Sequence, residues 1–157
     1  MTYNISLQPS SKISKEIEKF FSNIKNDLAI KNTSLEPHVS IVKFESEREL
    51  SADELNNLIL GINPEIEIEL AGLNLLPSRQ TGYWLEIPVL KTQTLISLQE
   101  KLLNKLNDYN ILNSTGDRFR PHITLAKVKN GDINLKNLNY SLLRKKQIKT
   151  KIVIKQL

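Results

Sequence analysis

The sequence predicts an α+β domain built as two pseudo-symmetric lobes, and three observations carry that prediction. Residues 36–44 read EPHVSIVKF, and residues 118–128 read RFRPHITLAKV. The two segments share the pattern Pro-His-Φ-[Ser/Thr]-Φ-x-Lys, where Φ is aliphatic, and they contain the only two histidines of the chain. Around them, runs of two-residue alternation and runs of helical spacing follow one another in the same order in both halves of the sequence. With proline near 5% of average usage, a histidine meets this context by chance on the order of once in a thousand. Two out of two marks a duplicated feature.

Residues 3–8 alternate, with Tyr3, Ile5 and Leu7 on one face and Asn4, Ser6 and Gln8 on the other; this predicts a half-buried strand ended by Pro9-Ser10. From Ser11 or Ser14 to about Ile30, Ile13, Ile17, Phe20, Phe21, Ile24 and Leu28 recur at helical spacing. Asn32-Thr33-Ser34 breaks that helix, and the first histidine strand follows, with Pro37 tolerated at its start. Ser51 with Glu54 three residues on reads as a capping box opening a short helix through Leu60, closed by Gly61 and Pro64. Residues 65–70, EIEIEL, alternate strictly and predict a strand with Ile66, Ile68 and Leu70 inward. Residues 76–82 read as a loop and the midpoint linker, dividing halves of about 1–76 and 82–157.

The second half repeats the order. Residues 83–89 predict a strand with Tyr83, Leu85 and Ile87 on one face and Trp84 and Glu86 on the other. A helix from Thr92 or Thr94 to about Tyr109 carries Leu95, Leu98, Leu102 and Leu106. Residues 110–117 form a polar loop before the second histidine strand. A turn at Asn130-Gly131, a short helix over 135–145 and a last strand over 147–155 complete the chain. The histidine motifs lie 84 residues apart, and identity between the halves is negligible outside them.

Composition bounds the function. The length of 157 residues can bury a real core, and 39% apolar with 25% charged residues is ordinary for a soluble domain. There is no cysteine, which excludes disulfides and thiolate metal sites and fits a reducing, cytoplasmic setting. The opening residues MTYNISLQPSSK lack a basic region followed by an apolar run, so no signal peptide is expected, and no apolar stretch approaches the ~18 residues of a membrane span. A net charge of +5 favours polyanionic partners such as nucleotides or RNA.

Side chains alternate on a strand, so His38 shares a face with Ser40, and His122 with Thr124, while Val39, Ile41, Ile123 and Leu125 point into the core. Strict alternation also puts Lys43 and Lys127 on the core-side face, away from the imidazoles, as strand-end solvent residues. Two imidazoles suit a reaction in which one proton is removed and another delivered, since an unperturbed ring titrates near ~6.5. Two hydroxyls between them suit displacement at phosphorus, where Ser40 and Thr124 hydrogen-bond the non-bridging oxygens. This chemistry needs no metal.

The paired Pro-His-Φ-[Ser/Thr]-Φ segments resemble those of the two-histidine (2H) phosphoesterase superfamily, which includes RNA 2′,3′-cyclic phosphodiesterases (2′-5′ RNA ligases), 2′-5′-oligoadenylate phosphodiesterases and viral hydrolases of cyclic oligonucleotides. RFRPHITLAKV is most similar to the second motif of the cyclic phosphodiesterase branch. The resemblance implies a bilobal fold, two antiparallel sheets covered outside by helices around a central cleft, with elements of the two halves open to mixing between lobes. It implies catalytic roles for His38, Ser40, His122 and Thr124; Ser40 departs from the commoner threonine but keeps the hydroxyl. No cofactor and no metal is implied, and the expected partner of a monomeric protein is RNA or a linear or cyclic oligonucleotide.

Further candidates for substrate contact are Trp84, which faces away from the Leu85/Ile87 core side and can stack on a base, Arg118 and Arg120 beside the second motif, and Lys149 and Lys151 on the polar face of the last strand. Each also has a structural reading: a buried tryptophan, a solvated loop, a solvated strand face. Glu65, Glu67 and Glu69 add an acidic stripe. Two further functions stand beside hydrolysis: a zinc site, for which neither motif offers a carboxylate, and a binding module or sponge for nucleotide signals that keeps the motifs without turnover.

Overall fold

The computed structural model describes residues 1–27, 36–77, 82–128 and 146–157. The predicted break at Asn32-Thr33-Ser34, the core of the midpoint linker, the Asn130-Gly131 turn, the helix over 135–145 and the last turn of the first helix with Leu28 lie outside those residues. In chain order the described elements are β1 (Thr2–Pro9), α1 (Ser11–Asp27), β2 (Val39–Glu45), α2 (Ala52–Ile59), β3 (Glu65–Leu70), β4 (Asn74–Pro77), β5 (Tyr83–Pro88), α3 (Gln93–Lys105), β6 (Asn110–Ile111), β7 (His122–Val128) and β8 (Lys146–Gln156), with a 3₁₀ turn over Gly116–Arg118.

The strands pair antiparallel in the order β3-β8-β1-β2-β7-β5-β4, and β6 adds to the far end of β2. Two sheets are joined here. One is β3-β8-β1-β2, the other β7-β5-β4, and the ladder between β2 and β7 is the single rung Val39↔Ile123. A second tie runs where the chain passes between the sheets, as the isolated bridge Leu70↔Val89 with Ala71 N donating to Pro88 O at 2.8 Å. The mixing that the resemblance left open is present. The C-terminal β8 lies between β3 and β1, and β4, which precedes β5 in sequence, completes the other sheet.

The core lies under the helices. Tyr3, Ile5 and Leu7 of β1, Val39 and Phe44 of β2, Leu85 and Ile87 of β5 and Ile123 of β7 are all buried, as alternation requires. Phe44 stacks on Tyr3 with ring centroids 5.4 Å apart and meets Tyr109 edge-on at 5.1 Å. α1 packs on β1 through Ile17, Phe20, Phe21 and Ile24, and α3 packs on β2 through Leu95, Leu98 and Leu102. α3 opens on the Thr92 cap and ends at Lys105, short of the expected Tyr109. The Lys105 ammonium donates to Asn57 O at 3.0 Å and Leu60 O at 2.6 Å, tying α3 to the carbonyl end of α2, where a cation is favoured.

The predicted capping box is present: Ser51 Oγ accepts from Glu54 N and the Glu54 carboxylate accepts from Ser51 N at 2.9 Å. Gly61 follows with φ 76°, a left-handed conformation that glycine adopts without strain. The Arg48 guanidinium and then the Ser51 N–H and hydroxyl hold the Glu54 carboxyl at about 2, below its ordinary 4.5. A depressed folded-state value contributes stability that is fully present above pH 4.5 and is lost as pH falls towards 2. Urea unfolding of the wild type and Glu54→Gln should therefore show a gap in midpoint at neutral pH that narrows steadily below pH 4.5.

Candidate active site at the seam

The Val39↔Ile123 rung fixes the geometry of both motifs. Val39 and Ile123 are fully buried on the helix side, so their neighbours His38, Ser40, His122 and Thr124 all face the other way. In antiparallel register His38 then falls opposite Thr124 and Ser40 opposite His122. The two histidines are diagonal neighbours across this rung, a relation that on a regular ladder separates residues by about 7–8 Å, with their Cβ atoms somewhat closer. The four residues form a two-by-two cluster on one face, exposed or half-buried.

Each imidazole is held in the same way. His38 Nδ1 lies 2.8 Å from Glu36 O, and His122 Nδ1 lies 2.7 Å from Arg120 O, in both cases the carbonyl two residues back. A carbonyl only accepts, so each Nδ1 carries the proton and each Nε2 is left for exchange. Ser40 Oγ accepts from the buried Asn4 amide, Nδ2 to Oγ 3.0 Å. Among the described residues no group of three or more His, Cys, Asp or Glu side chains is arranged to hold a metal ion, and no helix there is long and apolar enough to cross a membrane.

The model of the 2′-5′ RNA ligase superfamily matches residues 9–150, most of the chain and both histidine motifs. The protein belongs to the 2′-5′ RNA ligase superfamily. No curated protein sequence matches it. Solved structures that share the fold of this superfamily member include the following three. E. coli LigT complexed with 3′-AMP has a TM-score of 0.62 and 15% identity, over 98% of this chain and 94% of that one. A structure described as a phosphoesterase has a TM-score of 0.58 and 16% identity, over 97% and 85%. The PDE domain of MHV ns2 has a TM-score of 0.53 and 17% identity, over 100% of both chains.

Within this 2′-5′ RNA ligase superfamily fold, one correction concerns the lysines. β1 pairs Ile5 with Val42 but Ser6 with Ser40, so Ile41 is an extra residue in β2. β5 pairs Leu85 with Ala126 but Glu86 with Thr124, so Leu125 is the extra residue in β7. Both histidine strands thus carry a β-bulge one residue after the hydroxyl, which breaks the alternation. Lys43, paired with Asn4, and Lys127, paired with Trp84, come to the histidine face. The expectation that they face away fails for this reason. The sequence held the signal: Ile41-Val42 and Leu125-Ala126 are consecutive core residues at the same offset in both motifs.

Trp84 is 39% exposed on the histidine face, with the Lys127 ammonium 5.3 Å from its ring centroid. Arg120 grips Glu86 with both terminal guanidinium nitrogens, Nη1 on Oε1 and Nη2 on Oε2 at 3.3 Å. Glu86 is only 1% exposed, and its Oε2 also lies 3.5 Å from His122 Nε2. Glu86 was missed as a site residue, although an acid inside the apolar run YWLEIP was a visible anomaly. Glu36, also missed, accepts from Lys155 and from Gln8 Nε2 at 3.2 Å, and the Lys155 ammonium is the main reason its carboxyl sits below the usual range. Lys149 and Lys151 are exposed and pair in register with Glu67 and Glu65, so the expected basic wall is interleaved with acid. Arg118 is exposed at the end of the 3₁₀ turn, four residues before His122.

Proposed function

We propose that this protein is a metal-independent phosphodiesterase acting on 2′,3′-cyclic phosphate, 2′-5′ or cyclic phosphodiester bonds in RNA ends or short oligonucleotides. The observation that supports the reading most is the shared face of His38, Ser40, His122 and Thr124 across one rung, with both Nδ1 atoms tied to carbonyls. One neutral Nε2 removes the proton of the attacking water or hydroxyl. The other ring, protonated, delivers its Nε2 proton to the departing oxygen as the P–O bond breaks. Ser40 and Thr124 donate to the non-bridging oxygens, where charge develops. Superfamily membership and the likeness to LigT and to a viral PDE domain are in keeping with this chemistry.

The test is turnover of nucleoside 2′,3′-cyclic phosphates, 2′-5′ oligoadenylate and cyclic dinucleotides with EDTA present. Hydrolysis of at least one, at a rate unchanged by chelation, is the expected result. Abolition by EDTA with recovery on adding zinc would replace the mechanism with a metal-assisted one, and tight binding without turnover would make the protein a binding module.

A further inference from the structure

The two bulges have a geometric consequence beyond the cluster itself. β2 and β7 cross at Val39↔Ile123 and run in opposite directions. The next residue towards the C-terminus on the histidine face is Lys43 in one strand and Lys127 in the other, so the two lysines stand at opposite ends of the cluster. Each Cα lies three residues past its hydroxyl, at most about 10 Å along the strand, beyond a phosphate seated on Ser40 or Thr124.

The first bulge is a built feature. The carbonyl of its extra residue, Ile41, accepts from the buried Gln99 amide at 2.9 Å and from Asn113 Nδ2 at 3.0 Å. Asn113 Oδ1 accepts from Lys43 N at 2.7 Å, and Leu112 N donates to Lys43 O at 2.8 Å. Gln99 is only 2% exposed. Two side chains and a loop thus hold the backbone that aims Lys43. Without the extra residue in each strand, both lysines would turn into the core side. Beside Lys127 stands the exposed ring of Trp84, while beside Lys43 stands the small buried Asn4.

We propose that Lys43 and Lys127 bind the phosphates on either side of the scissile one, so that the preferred substrate is an oligonucleotide cut at an internal phosphodiester, its chain crossing the seam with a base stacked on Trp84. This rests on the phosphodiesterase reading and adds to it the substrate class, internal linkages in a chain over a mononucleotide.

The test compares Lys43→Ala, Lys127→Ala and the corresponding Lys→Arg variants on two adenylate probes of one linkage. The first is a dinucleoside monophosphate and the second a tetranucleotide with a phosphate on each side of the central bond, in 2′-5′ and 3′-5′ forms. The wild type should prefer the tetranucleotide in kcat/KM. Each Lys→Ala should lower that preference ratio roughly tenfold, the worth of one partly exposed charge-assisted contact, and Lys→Arg should restore most of it. The salt dependence of tetranucleotide binding should fall by about 0.7 in log–log slope per lysine removed. A preference ratio unmoved by either Lys→Ala would overturn the proposal, as would equal losses on both probes. If the wild type turns over neither probe but hydrolyses a 2′,3′-cyclic phosphate or a cyclic dinucleotide, the phosphodiesterase reading stands and the internal-linkage preference fails; if it hydrolyses none of these, the phosphodiesterase reading itself fails. Anisotropy of a labelled tetranucleotide then decides the lysine contacts, and equal affinity of wild type and both Lys→Ala variants sinks them.

Discussion

His38→Ala and His122→Ala should each lower kcat by about 10²–10⁴-fold, the usual share of a positioned general acid or base. The double variant should be little worse than either single, because groups that act on one proton-transfer sequence are not additive. The symmetric tethers explain why both matter: each Nδ1 proton is committed to a backbone carbonyl, so each ring has one nitrogen left for exchange. With one ring needed neutral and the other charged, the rate should follow a bell-shaped pH profile whose two limbs belong to the pair. All variants should fold, since both side chains face away from the core. Steady-state kinetics and circular dichroism check both halves. A His38→Ala protein that unfolds but keeps its turnover per folded molecule would make His38 structural and end the two-histidine mechanism.

Ser40→Ala and Thr124→Ala should each cost roughly 10²–10³-fold in kcat, the loss of one preorganised donor to charge that develops only in the transition state. Asn4 gives this expectation its structural basis at Ser40. Its amide donates to Ser40 Oγ at 3.0 Å, and that hydrogen bond leaves the hydroxyl proton of Ser40 for a phosphate oxygen. Ser40→Thr keeps the hydroxyl and should retain most activity. Loss confined to KM, with kcat intact, would show that the hydroxyls bind substrate and transition state equally, and would remove them from the chemistry.

Much of this site was legible because its signal is local. A proline-led aliphatic strand with His and Ser/Thr two apart dictates which side chains share a face, and the single rung at Val39↔Ile123 then brings the two faces together. The strand over 65–70 and the Ser51–Glu54 capping box were legible for the same reason, periodicity and spacing being contained in a few residues. What failed depended on partners distant in sequence. β4, Asn74–Pro77, overlaps the expected loop at Leu76-Pro77, and NLLP has no alternation to mark a strand; it is one because β5 offers an edge to pair with. β6 likewise exists through its pairing with Phe44 and Glu45. Plain alternation puts Lys43 and Lys127 on the wrong face because β2 holds an extra residue at Ile41 and β7 one at Leu125. The grip of Arg120, two residues before β7, on Glu86 of β5 joins residues far apart in sequence, and no spacing rule links them.

The position of β8 also bears on how the chain is made. Its residues 146–156 are translated after every other element described here, yet they fill the gap between β1 and β3. A ribosome adding about 5–20 residues per second leaves the emerging β1 without one of its neighbours for several seconds or more. During that interval the alternating apolar strand that starts the chain offers an open edge, the kind of surface on which nascent chains associate wrongly. Pairing across so long a sequence separation is also slow to form. The sheet carrying His38 is completed only once the strand carrying His122 has been synthesised, so the first motif in sequence is the last to gain its full sheet.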